Sequence, residues 1–490
     1  MSSNKKTKDN SVKKYIFEVI YIAIFIAIAV FVGLHHEHWA DEAQSWLIAR
    51  DNDVIGIFKA IRYEGTPALW QLLLKFCIVL GMEYNQLYIL TTALTVIGII
   101  FLHKNENVPL VFKILLPYTY YIFFQYTIVA RSYTLLFPIL MAIVYLYPNK
   151  KEHLVKYGIL LTLLMNVSLH GFLLAGGFWL EFLIEEVIIS KKDNKKIEKG
   201  VKKFFIILAL LFFSVALYFY PASDCVAGLV VLEDWYKVIS GILFTSSDSV
   251  FFNILGIIAC SIVIFRLIGM NNTKQLIRTS ALLGLNFCWI TCIHSCSHHI
   301  GILFLIIISI AFINNNFKND KVLYVLLVVS MIIQIYWNVS ACIHDIKYPY
   351  SAGDAVSEYL KEIGVEDKKI IGVDYWSVQV NPFFDKNIFA NFDNSYQKWS
   401  KEQNDRIISK YVSNNDKLDA DIYVIAVHCY YDYNYKKEEK LLQTYSSYYE
   451  ELLMKKLEAT GQYIKRKFDG DVFFKDVKFE TTGIYVYSKK

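Results

Sequence analysis

The sequence predicts a polytopic α-helical membrane protein with a C-terminal extracytoplasmic α/β domain. Three observations carry this. The 490-residue chain is 55% hydrophobic and 16% aromatic, with a mean hydropathy of +0.35, too apolar for a water-soluble globule of this size. Between residues 14 and 342, stretches of roughly 18 to 22 mainly apolar residues recur, each long enough as a helix to cross about 30 Å of hydrocarbon. Beyond Ala341 they stop, and the texture changes to Asp, Glu, Lys, Asn and Tyr with short apolar runs.

Taken in order, the apolar segments predict eleven or so spans, near 14–34, 85–103, 108–126, 131–147, 153–169, 171–189, 203–221, 250–270, 279–296, 299–315 and 321–340. The first follows Lys5, Lys6, Lys8, Lys13 and Lys14 but runs too long for a signal-peptide core, and no small-residue cleavage site follows Leu34. Loop charges then set the orientation. The segment 191–203 carries seven lysines, whereas 222–249 carries only Lys237 against Asp224, Glu233, Asp234 and Asp248. The positive-inside rule places the first in the cytoplasm and the second outside. The N-terminus is then cytoplasmic, and the loops 35–84 and 294–299 lie outside with everything after the last span.

Ala68 to Gly81 (ALWQLLLKFCIVLG) is apolar, but it has only about 14 residues, contains Gln71 and Lys75 and follows Pro67. It is expected to lie at the outer interface. Two domains result: 1–342, the membrane domain with its outer loop 35–84, and 343–490, the soluble domain. In the latter, 369–373 (KIIGV) and 421–427 (DIYVIAV) read as buried strands, 483–487 as a further strand, and 352–363 and 438–456 as helices.

The net charge of +5 is modest and its lysines sit in short loops, so nucleic-acid binding is excluded as the main business of the chain. Eight cysteines contain no CxxC pair, which argues against a disulfide framework. Cys225, Cys342 and Cys429 are the ones able to meet an oxidising compartment, and the sequence does not decide their pairing.

Polar residues gather at the outer ends of the predicted spans. After the first come His35, His36, Glu37, His38, Trp39, Ala40, Asp41 and Glu42. Two carboxylates beside a low-dielectric wall are costly unless paired, and such groups are often functional. The same spacing also suits acids at a helix N-terminus, where backbone amides stabilise them. Glu64 precedes a Gly65-Thr66-Pro67 turn. Arg131 is the lone basic residue at its helix end, placed either to snorkel to lipid phosphate or to face an anionic ligand. His170, with Asn166 four residues earlier, marks another outer end, as do His298 and His299. Cys288, Cys292 and Cys296, at i, i+4 spacing with three histidines nearby, could ligate a soft metal, although small cysteines also pack helix interfaces and the spacing matches no zinc pattern.

The stretch 39–50 (WADEAQSWLIAR), followed by 63–74 (YEGTPALWQLLL), resembles the first outer loop of GT-C fold glycosyltransferases, the class that includes protein mannosyltransferases and aminoarabinose lipid A transferases. Weaker matches follow at 130–135 (ARSYTL), 169–174 (LHGFLL) and 298–304 (HHIGILF). The resemblance covers the whole chain in layout, with its motifs confined to the first loop and a few helix ends.

The resemblance implies an inverting hexosyl- or pentosyltransferase. Its donor would be a polyprenyl-phosphate sugar reached from the outer leaflet, and its acceptor a glycan, lipid or protein; separately, the richness in Ile, Lys, Asn and Tyr is compatible with an AT-rich bacterial genome and so with a bacterial plasma membrane and envelope acceptors. The resemblance casts Asp41 as the catalytic carboxylate, with Glu42 positioning Asp41 or a divalent ion where one is used; no other cofactor is implied. Arg131 would stabilise the leaving phosphate, and Glu64, His170, His298 and His299 would line the same cavity. The chain departs from the family pattern at Thr66-Pro67, where many relatives carry His-Pro or Tyr-Pro, and at Ser297-His298, where the motif often begins with Arg. A multi-spanning transporter or flippase is the alternative, and should show inverted repeats or charges deep within spans. The outer domain's Tyr375, Trp376, Tyr396 and Trp399 are candidates to stack on sugars, or to form core.

Overall fold

The computed structural model describes residues 2–194, 196–226, 234–244, 249–269, 272–294, 296–404, 418–431, 441–443, 447–475 and 477–490. Lys195, Glu233, Asp248, Ser295 and parts of the 438–456 helix expectation (438–440 and 444–446) lie outside the described residues, as does the Cys429 side chain.

The N-terminal two thirds is helical. α1 (Ser2–Gly33) is followed by three shorter helices, α2 (Ala40–Asp51), α3 (Val54–Ala60) and α4 (Leu69–Val79). Then come α5 (Leu87–Lys104), α6 (Leu110–Leu115), α7 (Leu136–Leu146), α8 (Leu154–Met165), α9 (Leu169–Lys192), α10 (Lys199–Tyr218), α11 (Trp235–Leu243), α12 (Val250–Ile268), α13 (Thr273–Cys292), α14 (Ile300–Asn314) and α15 (Lys321–Lys347). Among the described residues six helical stretches are long and apolar enough to cross a bilayer: 13–33, 84–104, 132–149, 199–218, 250–268 and 321–347.

Their outward faces are apolar. On α15, Val322, Val325, Val329, Ile332 and Tyr336 are all exposed at alternating steps of three and four, and Ile206, Leu210, Phe213 and Leu217 do the same on α10. In water such stripes would be a large aggregating surface; against acyl chains they cost nothing, which identifies hydrocarbon as their solvent. α14, buried all round from Ile300 to Phe312, forms the middle of the bundle. Where α9 meets α13, a Cβ on Gly177 would stand 2.3 Å from the Ala281 carbonyl oxygen, so only glycine lets these backbones approach as they do.

Two sequence expectations need correction here. The span expected at 108–126 is not one helix: α6 gives way at Leu116–Tyr118 to a 3-10 turn containing Pro117, then to a π-type turn at Tyr121–Ile128. Proline lacks the N–H that would continue the ladder, and the wider turn carries the chain on toward Arg131. The cysteines expected on one helix face are also separated, because α13 ends at Cys292 and Cys296 lies beyond it. Cys288 and Cys292 are exposed on the bundle surface.

α4 has 11 residues, about 16 Å at 1.5 Å per residue, half of what a span requires. It packs on α2, and α2 in turn packs against the C-terminal 3-10 stretch Tyr375–Phe383.

After α15 come α16 (Gly353–Ile363), a 3-10 stretch Tyr375–Phe383, α17 (Lys401–Asn404) and α18 (Ser447–Thr460), with strands β1 (Ile370–Val373), β2 (Ile422–Tyr431), β3 (Leu441–Gln443), β4 (Tyr463–Phe474) and β5 (Val477–Lys489). The sheet order is β1-β2-β5-β4, with β3 pairing β2. β1 runs parallel to β2 with Ile370 opposite Ile422, whereas β5 is antiparallel to both β2 and β4. Alternation along β2 fills two cores. Ile422, Val424 and Ala426 pack with Val356 and Leu360 of α16, and Tyr423 and Ile425 pack with Leu453 and Leu457 of α18. The expected strands at 369–373, 421–427 and 483–487 fall on β1, β2 and β5. The expected helix at 438–456 overlaps strand β3 before α18 begins at Ser447. No disulfide links the described cysteines; Cys225 and Cys342 are both free thiols.

Candidate active site

α2 begins immediately after α1 turns. Trp39 is its N-cap, and Glu42, at the third helical position, reaches back to accept the Trp39 N–H at 3.1 Å. The local sequence thus makes a helix start with both acids in the first turn, where the amide dipoles favour them. Successive helical residues are rotated by about 100°, so Asp41 and Glu42 part company.

Glu42 points inward and is buried. Oε2 also accepts from His36 Nε2 at 3.2 Å, while Oε1 faces His38 Nδ1 at 2.9 Å and accepts from the Ala130 N–H at 2.7 Å. His36 Nδ1 in turn bonds Asp345, near the end of α15, at 3.0 Å. Burial pushes the Glu42 carboxyl up, but the adjoining His38 and His36 outweigh it and hold Glu42 well below the usual carboxylate range. Burial likewise pushes His36 down, and Asp345 and Glu42 overcome it, raising the imidazole to about 10. Glu42 therefore staples Trp39 to Ala130, positions flanking Asp41 and Arg131. His36, His38 and Glu42 present atoms within 4.8 Å of one another, as a metal site would; the donated protons and backbone amides already occupy both Glu42 oxygens.

Asp41 faces the other way. Its Oδ2 lies 2.8 Å from Arg131 Nη2, and its Oδ1 accepts from the Tyr375 hydroxyl at 3.0 Å. Arg131 is delivered by the extended residues between the π-type turn and the 3-10 turn Ser132–Leu135. Its guanidinium lies over Tyr133 (5.3 Å) and Trp39 (5.7 Å) and donates from Nη1 to His298 Nδ1 at 3.3 Å. Accepting there leaves His298 with its proton on Nε2, an atom with no partner among the described residues. Burial and then Arg131 hold His298 neutral, its pKa well below the ordinary imidazole value. Tyr133 bonds His299 Nε2 at 3.0 Å, and the His170 and His299 rings stand 4.4 Å apart. His170 itself bonds Asn286 at 3.1 Å; Asn166, expected beside it, instead accepts from Tyr218.

Glu64 sits at the mouth of its turn, where Gly65 adopts φ +66°, a left-handed conformation that glycine tolerates. Gln44 donates to Glu64 at 2.7 Å and also clasps Gln397 of the C-terminal region through both N–H and C=O. The low-dielectric surroundings raise the Glu64 carboxyl to about 8, against the Gln44 hydrogen bond, with Asp41 adding to the rise.

Two cavities meet along a wall shared by Asp41, Glu64, Thr66, Arg131 and Tyr133. The larger, about 560 Å³, runs past His170, His294, Cys296, His298 and His299 to an apolar side formed by Leu169, Phe219 and Trp289. The smaller, about 200 Å³, is bounded by Gln44, Ser45, Trp70, Gln71, Ser132, Tyr375 and Trp399. Asp41, Glu64, Arg131, His170, His298 and His299 are thus brought to one place, and Glu42 stands behind them. His294, Cys296 and His299 offer atoms within 4.8 Å of each other, a set whose chemistry suits a soft divalent ion. Of the four aromatic residues singled out in the C-terminal region, Tyr375 and Trp399 reach the cavity, whereas Trp376 packs on Trp39 at 5.2 Å and Tyr396 bonds Asn52. Nothing local in the sequence announced Gln44 or Asp345 as site supports, because their partners Gln397 and His36 lie 353 and 309 residues away.

Asp374, which delivers Tyr375, has φ 70° and ψ 153°, a region left almost entirely to glycine. Strain of this kind in a non-glycine residue persists only where surrounding contacts enforce it. Here the Asp374 side chain caps the Trp376 N–H at 3.1 Å.

No protein-family model matches the chain, and no curated protein does. Among solved structures, the crystal structure of ArnT from Cupriavidus metallidurans bound to undecaprenyl phosphate is similar over 95% of this chain and 97% of that one, with a TM-score of 0.54 at 9% identity. At that identity the likeness is one of fold, and the fold is GT-C.

Proposed function

We propose that this chain, whose fold is that of a GT-C glycosyltransferase, moves a sugar with inversion from a polyprenyl-phosphate donor to an envelope glycan, lipid or protein at the outer face of a bacterial plasma membrane. The observation that carries this reading is the Asp41–Arg131 pair at the junction of two cavities. A base and a phosphate-binding cation are what a displacement at an anomeric carbon needs, and they stand 2.8 Å apart.

In the reaction, the acceptor hydroxyl gives its proton to Asp41 as its oxygen attacks the anomeric carbon. The bond from that carbon to the phosphate oxygen breaks, and its electron pair leaves with the polyprenyl phosphate. Arg131, with its planar fork, and the Nε2–H of His298 offset the charge that develops there. The apolar side of the larger cavity suits the prenyl chain. Tyr375 keeps its proton, because burial and then Asp41 raise its pKa well above the ordinary phenol value. It therefore remains a donor to Asp41 throughout. A divalent ion at His294, Cys296 and His299 would add positive charge beside the phosphate. That the ArnT structure holds undecaprenyl phosphate supports a lipid of this class.

Eleven or so crossings, the broken segment 108–126 counted as one of them, a cytoplasmic N-terminus and an outer, soluble domain at 343–490 belong to the same reading. The seven-lysine loop and the placement of the site's polar residues at one end of the helices support them.

The test is sugar transfer by purified enzyme in nanodiscs, from radiolabelled polyprenyl-phosphate sugars to membrane and cell-wall extracts, comparing wild type with Asp41→Asn. The variant is expected to fold, to bind undecaprenyl phosphate and to lose transfer by about 10²–10⁴-fold. Wild-type protein that transfers nothing from any donor, yet moves lipid across vesicles, would establish the transporter alternative.

A further inference from the structure

The smaller cavity has a character of its own. Resting on the glycosyltransferase reading, we infer that it is a subsite for one pyranose ring of the acceptor, so that the molecule receiving the sugar is itself a carbohydrate.

The lining argues for this chemistry. Gln44, Ser45, Gln71 and Ser132 are polar without being charged, and they belong to this cavity alone. Gln44 is already held by Glu64 and Gln397, but a prenyl or acyl chain would leave the polar side chains of Ser45, Gln71 and Ser132 against hydrocarbon. At about 200 Å³ the space lies below the ~300–1,000 Å³ of sites for drug-sized ligands, which suits a single ring and not a folded peptide segment. Two of its wall residues carry buried polar atoms of opposite kind with no partner among the described residues, the Trp70 indole N–H and the Gln71 Oε1. A sugar hydroxyl both accepts and donates, so a short side-chain adjustment lets one ligand meet both needs. Glu64, protonated below about pH 8, adds a neutral donor.

The remaining walls are aromatic and come from the C-terminal region. Tyr375 and Trp399 stand 4.8 Å apart at 45°, forming an angled apolar corner. The C–H face of a pyranose lies against such rings while its hydroxyls meet the polar floor. Tyr375 also holds Asp41, so a ring seated on this corner has its hydroxyls beside the carboxylate that would take the proton. Of the groups assigned to the phosphate, Arg131 stands on the shared wall and His298 lies in the other cavity alone. The acceptor and the leaving group are thereby kept on separate sides of the Asp41–Arg131 pair.

A pyranose is also carried by the donor, and kinetics separates the two sources. In the nanodisc assay with radiolabelled polyprenyl-phosphate sugar and cell-wall extract, Trp399→Ala and Gln71→Leu are each expected to raise the half-saturating amount of extract about tenfold. Half-saturation by donor and binding of undecaprenyl phosphate should stay at the wild-type level, and Trp399→Phe should restore most of the loss. If donor half-saturation rises instead, the ring belongs to the donor and the acceptor assignment is overturned. If neither moves in folded variants, the cavity holds no sugar. Should the wild type transfer no label at all, saturation-transfer NMR with a panel of methyl pyranosides in the gluco, galacto, manno and N-acetylglucosamine configurations reads the subsite without catalysis. Signals that vanish in Trp399→Ala sustain it even as the transferase reading falls; no signal from any member of the panel overturns it.

Discussion

The hydroxyl of Tyr375 donates to Asp41 at 3.0 Å across 334 residues of sequence, so the C-terminal region supplies a group to the carboxylate at the centre of the site. A sheet that merely anchored or decorated the helical bundle would have no need of this bond. Removing it tests the coupling. Tyr375→Phe keeps the ring and its packing on Trp399 but deletes a charge-assisted hydrogen bond, a change worth about 1.5–3 kcal/mol. Turnover is expected to fall by about 10- to 100-fold with donor half-saturation unchanged. Steady-state kinetics at saturating donor measures it, and wild-type turnover in the variant would show that the bond plays no part in transfer.

Arg131 pairs with Asp41 and His298 at once, and its planar fork is what a phosphate requires. Arg131→Ala should lower turnover by about 10²–10³-fold and weaken undecaprenyl phosphate binding, whereas Arg131→Lys, which keeps the charge but not the fork, should fall between. Native mass spectrometry of the lipid complex together with the transfer assay checks both parts. Unaltered lipid binding in the alanine variant would move the phosphate elsewhere.

Glu64 is predicted to set the alkaline limit of activity. Its carboxyl, raised to about 8, is neutral at pH 7 and adds a second negative charge beside Asp41 once it ionises. Transfer should decline above about pH 8, and Glu64→Gln should push that decline upward. The stability sign follows from the same shift. Between about 4.5 and 8 the folded state binds the extra proton, so this group's contribution falls as pH rises through that window. A pH–rate profile identical in wild type and Glu64→Gln would exclude the assignment.

His36 bridges Glu42 and Asp345, both buried. Glutamine in its place leaves two carboxylates facing each other with a neutral partner, a loss of roughly 3–5 kcal/mol for a broken buried pair. His36→Gln should lower the thermal midpoint. Because the folded pKa of His36 is raised to about 10, the advantage of wild type is complete below about pH 6.5 and disappears as pH climbs through 10. Unfolding followed by near-UV circular dichroism at pH 6.5 and pH 10 would show the gap closing; a gap that widened at alkaline pH would reverse the proposed protonation state.

How much was legible in the sequence differs from residue to residue. The apolar stretches, the strands at 369–373 and 421–427, and the acidic turn around Asp41 could be read because each rests on a periodicity or a helix-start pattern spanning fewer than a few dozen residues. Asp41, Glu64, Arg131, His170, His298 and His299 could be gathered as polar residues at span ends, since apolar surroundings make such residues conspicuous. The kink at Pro117 was carried by a residue visible in the chain, whereas only the packed structure shows that the π-type turn after it lays Tyr121 and Tyr126 against Gly301, where an added Cβ would stand 2.5 Å from Tyr121.

By itself, then, the sequence determined which segments seek hydrocarbon, which alternate as strands, and where polar chemistry collects. Tertiary structure alone decided that Asp41 faces the cavities while Glu42 turns inward to His36 and His38, and that Tyr375 and Trp399 close over the site while Trp376 and Tyr396 pack elsewhere. The physical reason is range. Burial pattern and helix starts are local properties of a chain, whereas the partner of each buried polar group is chosen by how whole helices and the C-terminal sheet pack, through contacts such as Gln44 with Gln397 and His36 with Asp345 that no neighbouring residue encodes.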